Sequence, residues 1–460
     1  MGIIGENHVV VMPYPGRGHI NPMMNLCKQL VSKSDNIFIT FVVTEEWFGL
    51  IGSDPNKPDR IRFATIPNVI PSEKVRFKDF MGFIEAVATK MGAPFERLLD
   101  QLEPPVPSLI IADTFLLWAF DVGSRRNIPV ASFWPMSAMA FSVFYHFDRF
   151  LENGHYPVNF PESGHERVDY IPGVDAMPLM DLPPNRGTKE EVLKQAVKMF
   201  SWVPKGRYFL LPTIYELESQ VIDTLKRNLS LSIYPIGPAI PYSDLGDNSA
   251  NFTSDEDVNY LRWLDCQPCR SVLYVSLGSF LSVSSAQMDE IAAGLCESGV
   301  RFLWVARGET ERLNEVCGGK GLVVRWCDQL RVLRHPSVGG FWTHCGWNSI
   351  REGVFSGVPF LTFPIAVDQF PNRKLIVEDW KIGWRVKEEF KVENLAHLVT
   401  REKIAGLVMK FMDLESNEVE EMRRRAKELQ EICQHSTSKD GSSEANINSF
   451  IRDISLSSCH

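Results

Sequence analysis

The sequence predicts an α/β protein made of two similar domains, each built on a parallel sheet. Three observations predict it. Short apolar runs alternate with helical patterns in both halves of the chain, the pattern of strands buried between layers of helices. The alternation stops at YPIGPAIP (234–241) and the polar stretch after it, then starts afresh. A chain of 460 residues also exceeds the roughly 100–200 residues of one typical domain.

Taken in order, residues 8–12 (HVVVM) read as a buried strand and PYPGRGH as a tight loop. Asn21-Pro22 then reads as the cap and first residue of a helix through MMNLCKQLV. A second strand follows at 37–43. Residues 108–112 (SLIIA) form a strand ending at Asp113, 115–125 a helix, and 128–133 the next strand. Six prolines between 157 and 184 mark 151–185 as a long loop region. The linker is expected at 237–256, where Asp255-Glu256-Asp257 reads as a solvated acidic run rather than a metal-binding D-x-D. The second half brings strands at 271–276, 301–306, 321–326, 337–343 and 358–363, with a helix at 286–298. Arg423-Arg424-Arg425 follow several glutamates on a helix at 419–433, a solvated face rather than a nuclear signal. In the tail, Ser443 caps a helix in which Ile447, Phe450, Ile451 and Ile454 make an apolar stripe that needs a surface to cover. The boundaries are therefore 1–236 for the first domain, 237–256 for the linker, 257–440 for the second domain and 441–460 for the tail helix.

Composition narrows the function. Hydrophobic residues are 44% and charged residues 23% of the chain, as in ordinary globular proteins. A net charge of −9 argues against affinity won from nucleic-acid phosphates, so any phosphate must be held locally. Nine scattered cysteines fit a reducing compartment, and Cys266-x-x-Cys269 lacks the second pair a zinc site needs. The first residues lack a secretory pattern and carry Glu6 where myristoylation needs Ser or Thr, while the most apolar stretch, 131–147, is too short to span a bilayer. A cytoplasmic monomer is expected, and the sequons at Asn228 and Asn251 are read as chance matches.

The chemistry concentrates in SVGGFWTHCGWNSIREGVFSGVP. A strand through Thr343 feeds a glycine-containing turn and a helix beginning near Asn348 and Ser349. Unpaired N–H groups and the positive end of a helix dipole make such a turn an anion site, with His344, Asn348 and Ser349 as added donors. Strand–turn–helix geometry alone favours a capped core helix. The neighbours shift the balance: Trp326 can offer a flat face to a base, Gln329 follows it, Glu352 lies one turn into the helix where a ribose diol can be chelated, and Asp368-Gln369 offer two adjacent groups for sugar hydroxyls.

The stretch 326–369, WCDQLRVLRHPSVGGFWTHCGWNSIREGVFSGVPFLTFPIAVDQ, resembles the donor-binding signature of plant small-molecule UDP-glycosyltransferases. The resemblance runs from MPYPGRGHINP through IIADTFLLWAFDVG to IGP and YVSLGS. It implies the GT-B fold, two Rossmann-like domains facing across a cleft with the C-terminal helix crossing back to the first. It further implies Trp326 stacked on uracil beside Cys327, Gln329 and Glu352 on uridine and its ribose, and Ser279, His344, Gly346, Asn348 and Ser349 at the diphosphate. Trp347, Asp368 and Gln369 would address the sugar, with the final Gln going with glucose. Asp328 departs from the family's usual Pro, and Pro135 stands where many relatives have Thr.

His19 after the first strand and Asp113 at the end of another lie at the sheet edge where open α/β proteins bind ligands. A carboxylate on one ring nitrogen fixes the tautomer and leaves the other to take a proton from an acceptor hydroxyl. A loop histidine is more often a cap or turn residue, and it is the resemblance that assigns catalysis to this pair. Implied are an inverting glucosyl transfer from UDP-glucose, as co-substrate, to a small hydrophobic acceptor, with no metal, no other cofactor, no nucleic acid and no membrane span. Flavonoids, other phenolics, terpenoids and hormone-like acids are all open as acceptors; the aromatic segment Phe141, Phe144, Tyr145, Phe147 and Phe150 could line the pocket or face the core. Two rivals remain. A nicotinamide oxidoreductase lacks support, because Gly16-Arg17-Gly18 has no third glycine of G-x-G-x-x-G. The other is a binder of nucleotide sugars without turnover.

Overall fold

The computed structural model describes residues 7–52, 58–73, 75–76, 79–156, 164–182, 199–241, 255–278, 283–387 and 398–457. The chain divides into two compact units: Met1–Phe147 with Gly187–Ile240 and Ser436–His460, and Asp148–Arg186 with Pro241–His435.

The first unit is organised by a sheet of seven strands: β1 (Asn7–Met12), β2 (Ile37–Thr44), β3 (Ile61–Ile66), β4 (Leu109–Asp113), β5 (Val130–Phe133), β6 (Tyr208–Leu211) and β7 (Ser232–Pro235). Their spatial order is β3-β2-β1-β4-β5-β6-β7, all parallel. The run Val9-Val10-Val11 is buried on both faces, as strands of a covered parallel sheet must be. Helix α1 (Arg17–Lys33) turns Ile20, Met23, Leu26, Cys27 and Leu30 into this core. It starts earlier than the expected Asn21-Pro22. The Gly16 carbonyl accepts from the N–H groups of His19 and Ile20 at 3.0 and 2.9 Å, so the first turn forms before Pro22, which lies inside the helix. His19 thus sits on a helical turn rather than in a loop. Helix α2 (Ala138–Tyr145), capped by Ser137, is buried through Phe144. Its Phe141 packs on Trp134 and Phe209, and Phe144 stacks on Phe200. The aromatic segment is therefore largely core. The C-terminal helix, Ser442–Ser457, buries Ile447, Phe450 and Ile454 in the same cluster, against β7 and α1. Gly237, at φ +85°, lets the chain pass this helix, because a Cβ there would come within 2.9 Å of Ser443.

The segment YPIGPAIP (234–241) begins as strand, β7 ending at Pro235, and the first residues of the expected linker are not solvated, since Ala239 and Ile240 are buried like Ile236 before them. Residues 242–254 of the expected linker lie outside the described residues, and Asp255 opens a helix, Asp255–Asp265.

In the second unit a six-stranded parallel sheet comprises β8 (Val272–Ser276), β9 (Arg301–Val305), β10 (Gly321–Val324), β11 (Val338–Thr343), β12 (Phe360–Thr362) and β13 (Gly383–Arg385), in the order β10-β9-β8-β11-β12-β13. Both sheets share one topology, with a reversal of winding between β1 and β4 and again between β8 and β11. Three short or longer helices position the candidate residues: α3 (Gln329–Leu333), α4 (Trp347–Ser356) and α5 (Gln369–Lys374).

Residues 148–186, assigned from sequence to the first domain, belong to this second unit. A buried ion network explains why. After a small hairpin (Arg167–Val168 against Met177–Pro178), the carboxylate of fully buried Asp181 accepts from Arg373 Nε on α5 at 2.6 Å and from Arg385 Nη2 on β13 at 2.7 Å. Partners this far apart in sequence are invisible to local patterning. Among the described residues no helix is long and apolar enough to cross a membrane. Cys266 and Cys269 are free and exposed.

Candidate active site

Each unit presents candidate residues where the winding of its sheet reverses, the place at which open α/β sheets receive ligands: His19 and Asp113 in the first, and the turn around His344 in the second, with Trp326 and Gln329 following β10 and Asp368 and Gln369 following β12. In the first unit His19 comes from α1, which follows β1, and Asp113 from the end of the neighbouring β4. His19 Nδ1 lies 2.8 Å from Asp113 Oδ2. Asp113 is wholly buried, and its other oxygen accepts from the Phe115 N–H at 3.0 Å. With the carboxylate so held, Nδ1 carries the proton of a neutral ring, and Nε2 is the basic nitrogen. Tyr14 and Phe115 flank the imidazole at centroid distances of 5.1 and 5.9 Å, and Phe83 stands at the edge of Tyr14. Burial pushes the Tyr14 hydroxyl far above its ordinary range, so it stays a neutral donor.

In the second unit Trp326 leaves its indole 55% exposed beyond β10, available for stacking. Cys327 points inward, its sulfur 3.4 Å from the buried Tyr274 hydroxyl, so only its backbone can reach a ligand. Asp328, unlike the expected Pro, stiffens the turn in another way. Its carboxylate caps α3 by accepting from the Arg331 N–H, and its own N–H donates to the Tyr260 hydroxyl. Gln329 is fixed from three sides: its oxygen accepts from Tyr274 at 3.1 Å, and its Nε2 donates to Ser349 Oγ at 3.0 Å and Glu352 Oε2 at 2.8 Å. Burial pushes the Glu352 carboxyl up to about 7.

Helix α4 begins at Gly346, and no side chain caps it. His344 lies in the turn before it, between two glycines; a Cβ at Gly278 or Gly346 would come within 2.7 or 2.5 Å of its Nε2. Burial holds the His344 imidazole down at about 4, so it is neutral at pH 7. Arg351 turns back to donate to Asn348 Oδ1, which orients that amide with its NH2 end away. What this turn offers an anion is therefore neutral dipoles rather than a basic clamp. The Trp347 indole is buried near Trp380, at 6.4 Å between centroids, so its backbone is what it can offer a ligand. Asp368 is buried at the start of α5, and Gln369 accepts through Oε1 from the N–H groups of Ile365 and Ala366 at 2.7 and 2.9 Å. That locks its amide with the NH2 end as donor. Ser279 lies outside the described residues. Tyr274, Arg351 and Asn372 escaped the sequence reading; the first two sit in apolar-looking or charge-balanced runs that give no signal of their partners.

A family model for "UDP-glucoronosyl and UDP-glucosyl transferase" matches residues 213–402. The chain is 55% identical to UDP-glycosyltransferase 87A2 of Arabidopsis thaliana, across 97% of this chain and 96% of that one. The chain belongs to the UDP-glycosyltransferases. It is also 33% identical to 7-deoxyloganetin glucosyltransferase of Catharanthus roseus, over 98% and 97% of the two chains. Among solved structures, Medicago truncatula UGT71G1 complexed with UDP-glucose superposes with a TM-score of 0.83 at 25% identity, covering 98% of this chain and 99% of that one. This UDP-glycosyltransferase therefore has the GT-B fold of two Rossmann-like domains and is an enzyme of glycosyl transfer from UDP-sugars to small plant metabolites.

Proposed function

We propose that this enzyme moves a hexose, most readily glucose, from its UDP-sugar to a hydroxyl or carboxyl oxygen of a small apolar plant metabolite, with inversion at the anomeric carbon. One observation carries the reading: the His19–Asp113 pair, 2.8 Å apart, with Asp113 fully buried and doubly bonded. His19 Nε2 takes the acceptor's proton as its oxygen forms a bond to the anomeric carbon from the face opposite UDP. The bond from that carbon to the β-phosphate oxygen breaks with its electron pair, and UDP leaves. Asp113 stabilises the imidazolium that forms. The N-terminus of α4 and the neutral donors of His344 and Asn348 offset the charge growing on the β-phosphate, so the reaction calls for no metal and no cofactor beyond the co-substrate. A single displacement gives a β-glycoside from an α-linked donor. The rings of Tyr14 and Phe115 beside His19, with Phe83 at the edge of Tyr14, favour a flat, apolar acceptor.

The test is a panel of phenols, flavonoids, terpenoids and hormone-like acids with UDP-glucose, read by UDP release, product mass and anomeric configuration. A β-glucoside that persists in chelator and disappears in His19→Ala is expected. UDP-glucose binding with no turnover across the panel would instead make the protein a binder. UDP-galactose or UDP-xylose outcompeting UDP-glucose by more than about tenfold, near 1.4 kcal/mol, would overturn the choice of sugar.

A further inference from the structure

We propose that Asn372 is a positioning residue that aims the Asp368 carboxylate at the sugar and ties it to the turn from which α4 begins. The proposal rests on the reading of Asp368 as a sugar contact. Asn372 is wholly buried on α5, and its Nδ2 donates both to Asp368 Oδ2 at 2.8 Å and to the Cys345 carbonyl at 3.0 Å. One planar amide thus spans the two places where the hexose and the diphosphate are read.

Three further observations show that this arrangement is imposed rather than relaxed. Asp368 occupies the N-cap position of α5 yet its side chain caps nothing, although an aspartate there ordinarily accepts from the first turn's N–H groups. Its carboxylate is turned to Asn372 instead. The residue before it, Val367, has φ +53°, and Cys345 has φ +67°. Neither is a glycine, and Val is β-branched, so both turns are held in left-handed conformations by their surroundings. Helix α5 itself cannot shift, because the next residue, Arg373, is fully buried and bonded to Asp181 and to the Met180 carbonyl.

The consequence concerns which sugar is accepted. Gln369 presents a donor and Asp368 an acceptor, one residue apart. A donor–acceptor pair at fixed spacing suits two neighbouring hydroxyls of one relative configuration and penalises the epimer. Asn372 sets that spacing without touching the ligand. Its Nδ2 is directed to the Asp368 carboxylate and the Cys345 carbonyl, whereas Gln329, Ser349 and Glu352 are bonded to one another, so uridine recognition should not depend on it.

The experiment compares Asn372→Ala, Asp368→Ala and the double variant, using UDP-glucose and UDP-galactose as donors and UDP as inhibitor. In Asn372→Ala the KM for UDP-glucose is expected to rise about tenfold and the preference for glucose over galactose to fall about tenfold, while the UDP inhibition constant changes less than about threefold. The double variant should lose no more discrimination than Asp368→Ala alone, because the amide acts through the carboxylate. Should the alanine variant fail to fold, Asn372→Leu, which keeps the branched shape and removes both donors, carries the same expectations. An unchanged glucose preference in Asn372→Ala, or UDP inhibition weakened as much as UDP-glucose binding, would overturn the proposal. If Asp368→Ala itself keeps full discrimination, the fault lies with Asp368 as a sugar contact rather than with Asn372.

Discussion

The two units wind their sheets alike and expose the same edge, but they fix their functional groups in opposite ways. In the first, a single hydrogen bond does the work: a carboxylate with no exposure holds one imidazole, and aromatic rings close around it. In the second, several polar groups share the task, with Gln329, Ser349, Glu352 and Tyr274 in one hydrogen-bonded cluster and an uncapped helix start beside it. The difference follows from the chemistry. A general base needs one nitrogen of defined tautomer, whereas a nucleotide sugar of several polar parts needs many donors, none of which may outbid the others for a diphosphate that must leave.

If that contrast is right, damage to the first unit should be steep and confined to turnover. His19→Ala is expected to lower kcat on the order of 10³-fold with UDP-glucose binding by calorimetry unchanged; weaker donor binding would break the separation of roles. Asp113→Asn keeps the shape and loses the orienting charge, for a fall in kcat on the order of 10²-fold, measured by UDP release. In the second unit the losses should be shallower and appear in KM. Trp326→Ala removes a base-stacking face worth about 1–3 kcal/mol, so the KM for UDP-glucose should rise roughly tenfold at near-constant kcat. The smallest effect is a pH dependence. The Glu352 carboxyl titrates near 7, raised by burial, so its charged form is present above that pH and lost below it. UDP affinity by calorimetry should fall up to about tenfold from pH 8 to pH 6, beyond the slope that Glu352→Gln retains; identical slopes in the two proteins would remove Glu352 from the account.

How much was legible follows the same division. The donor stretch could be read because its parts are consecutive: strand, turn, helix and the polar residues among them lie within 326–369, and the period of the apolar residues places them. His19 and Asp113 could be named, yet their 2.8 Å approach depends on β1 pairing with β4, which no local window contains. The start of α1 was misplaced because Pro22 is a strong cue for a first helical residue, whereas the glycine carbonyl that really opens the helix leaves no such mark. Strand β13, three residues long, was missed for want of a period to detect. The reassignment of 148–186 turns on Asp181, one acid in a proline-rich run whose partners Arg373 and Arg385 lie about two hundred positions onward.

The placement of Ile447, Phe450 and Ile454 bears on how the protein is made. On the ribosome every strand of the first sheet is synthesised before residues 241–435, the larger part of the second unit, and the helix that seals its apolar flank emerges only afterwards. Until then Tyr208 and Tyr234, which later pack on Phe450, face water or a chaperone. The nascent first unit must wait for residues 241–435 to be translated, so the finished helix acts as a late seal on a chain that cannot complete its opening lobe in the order it was written.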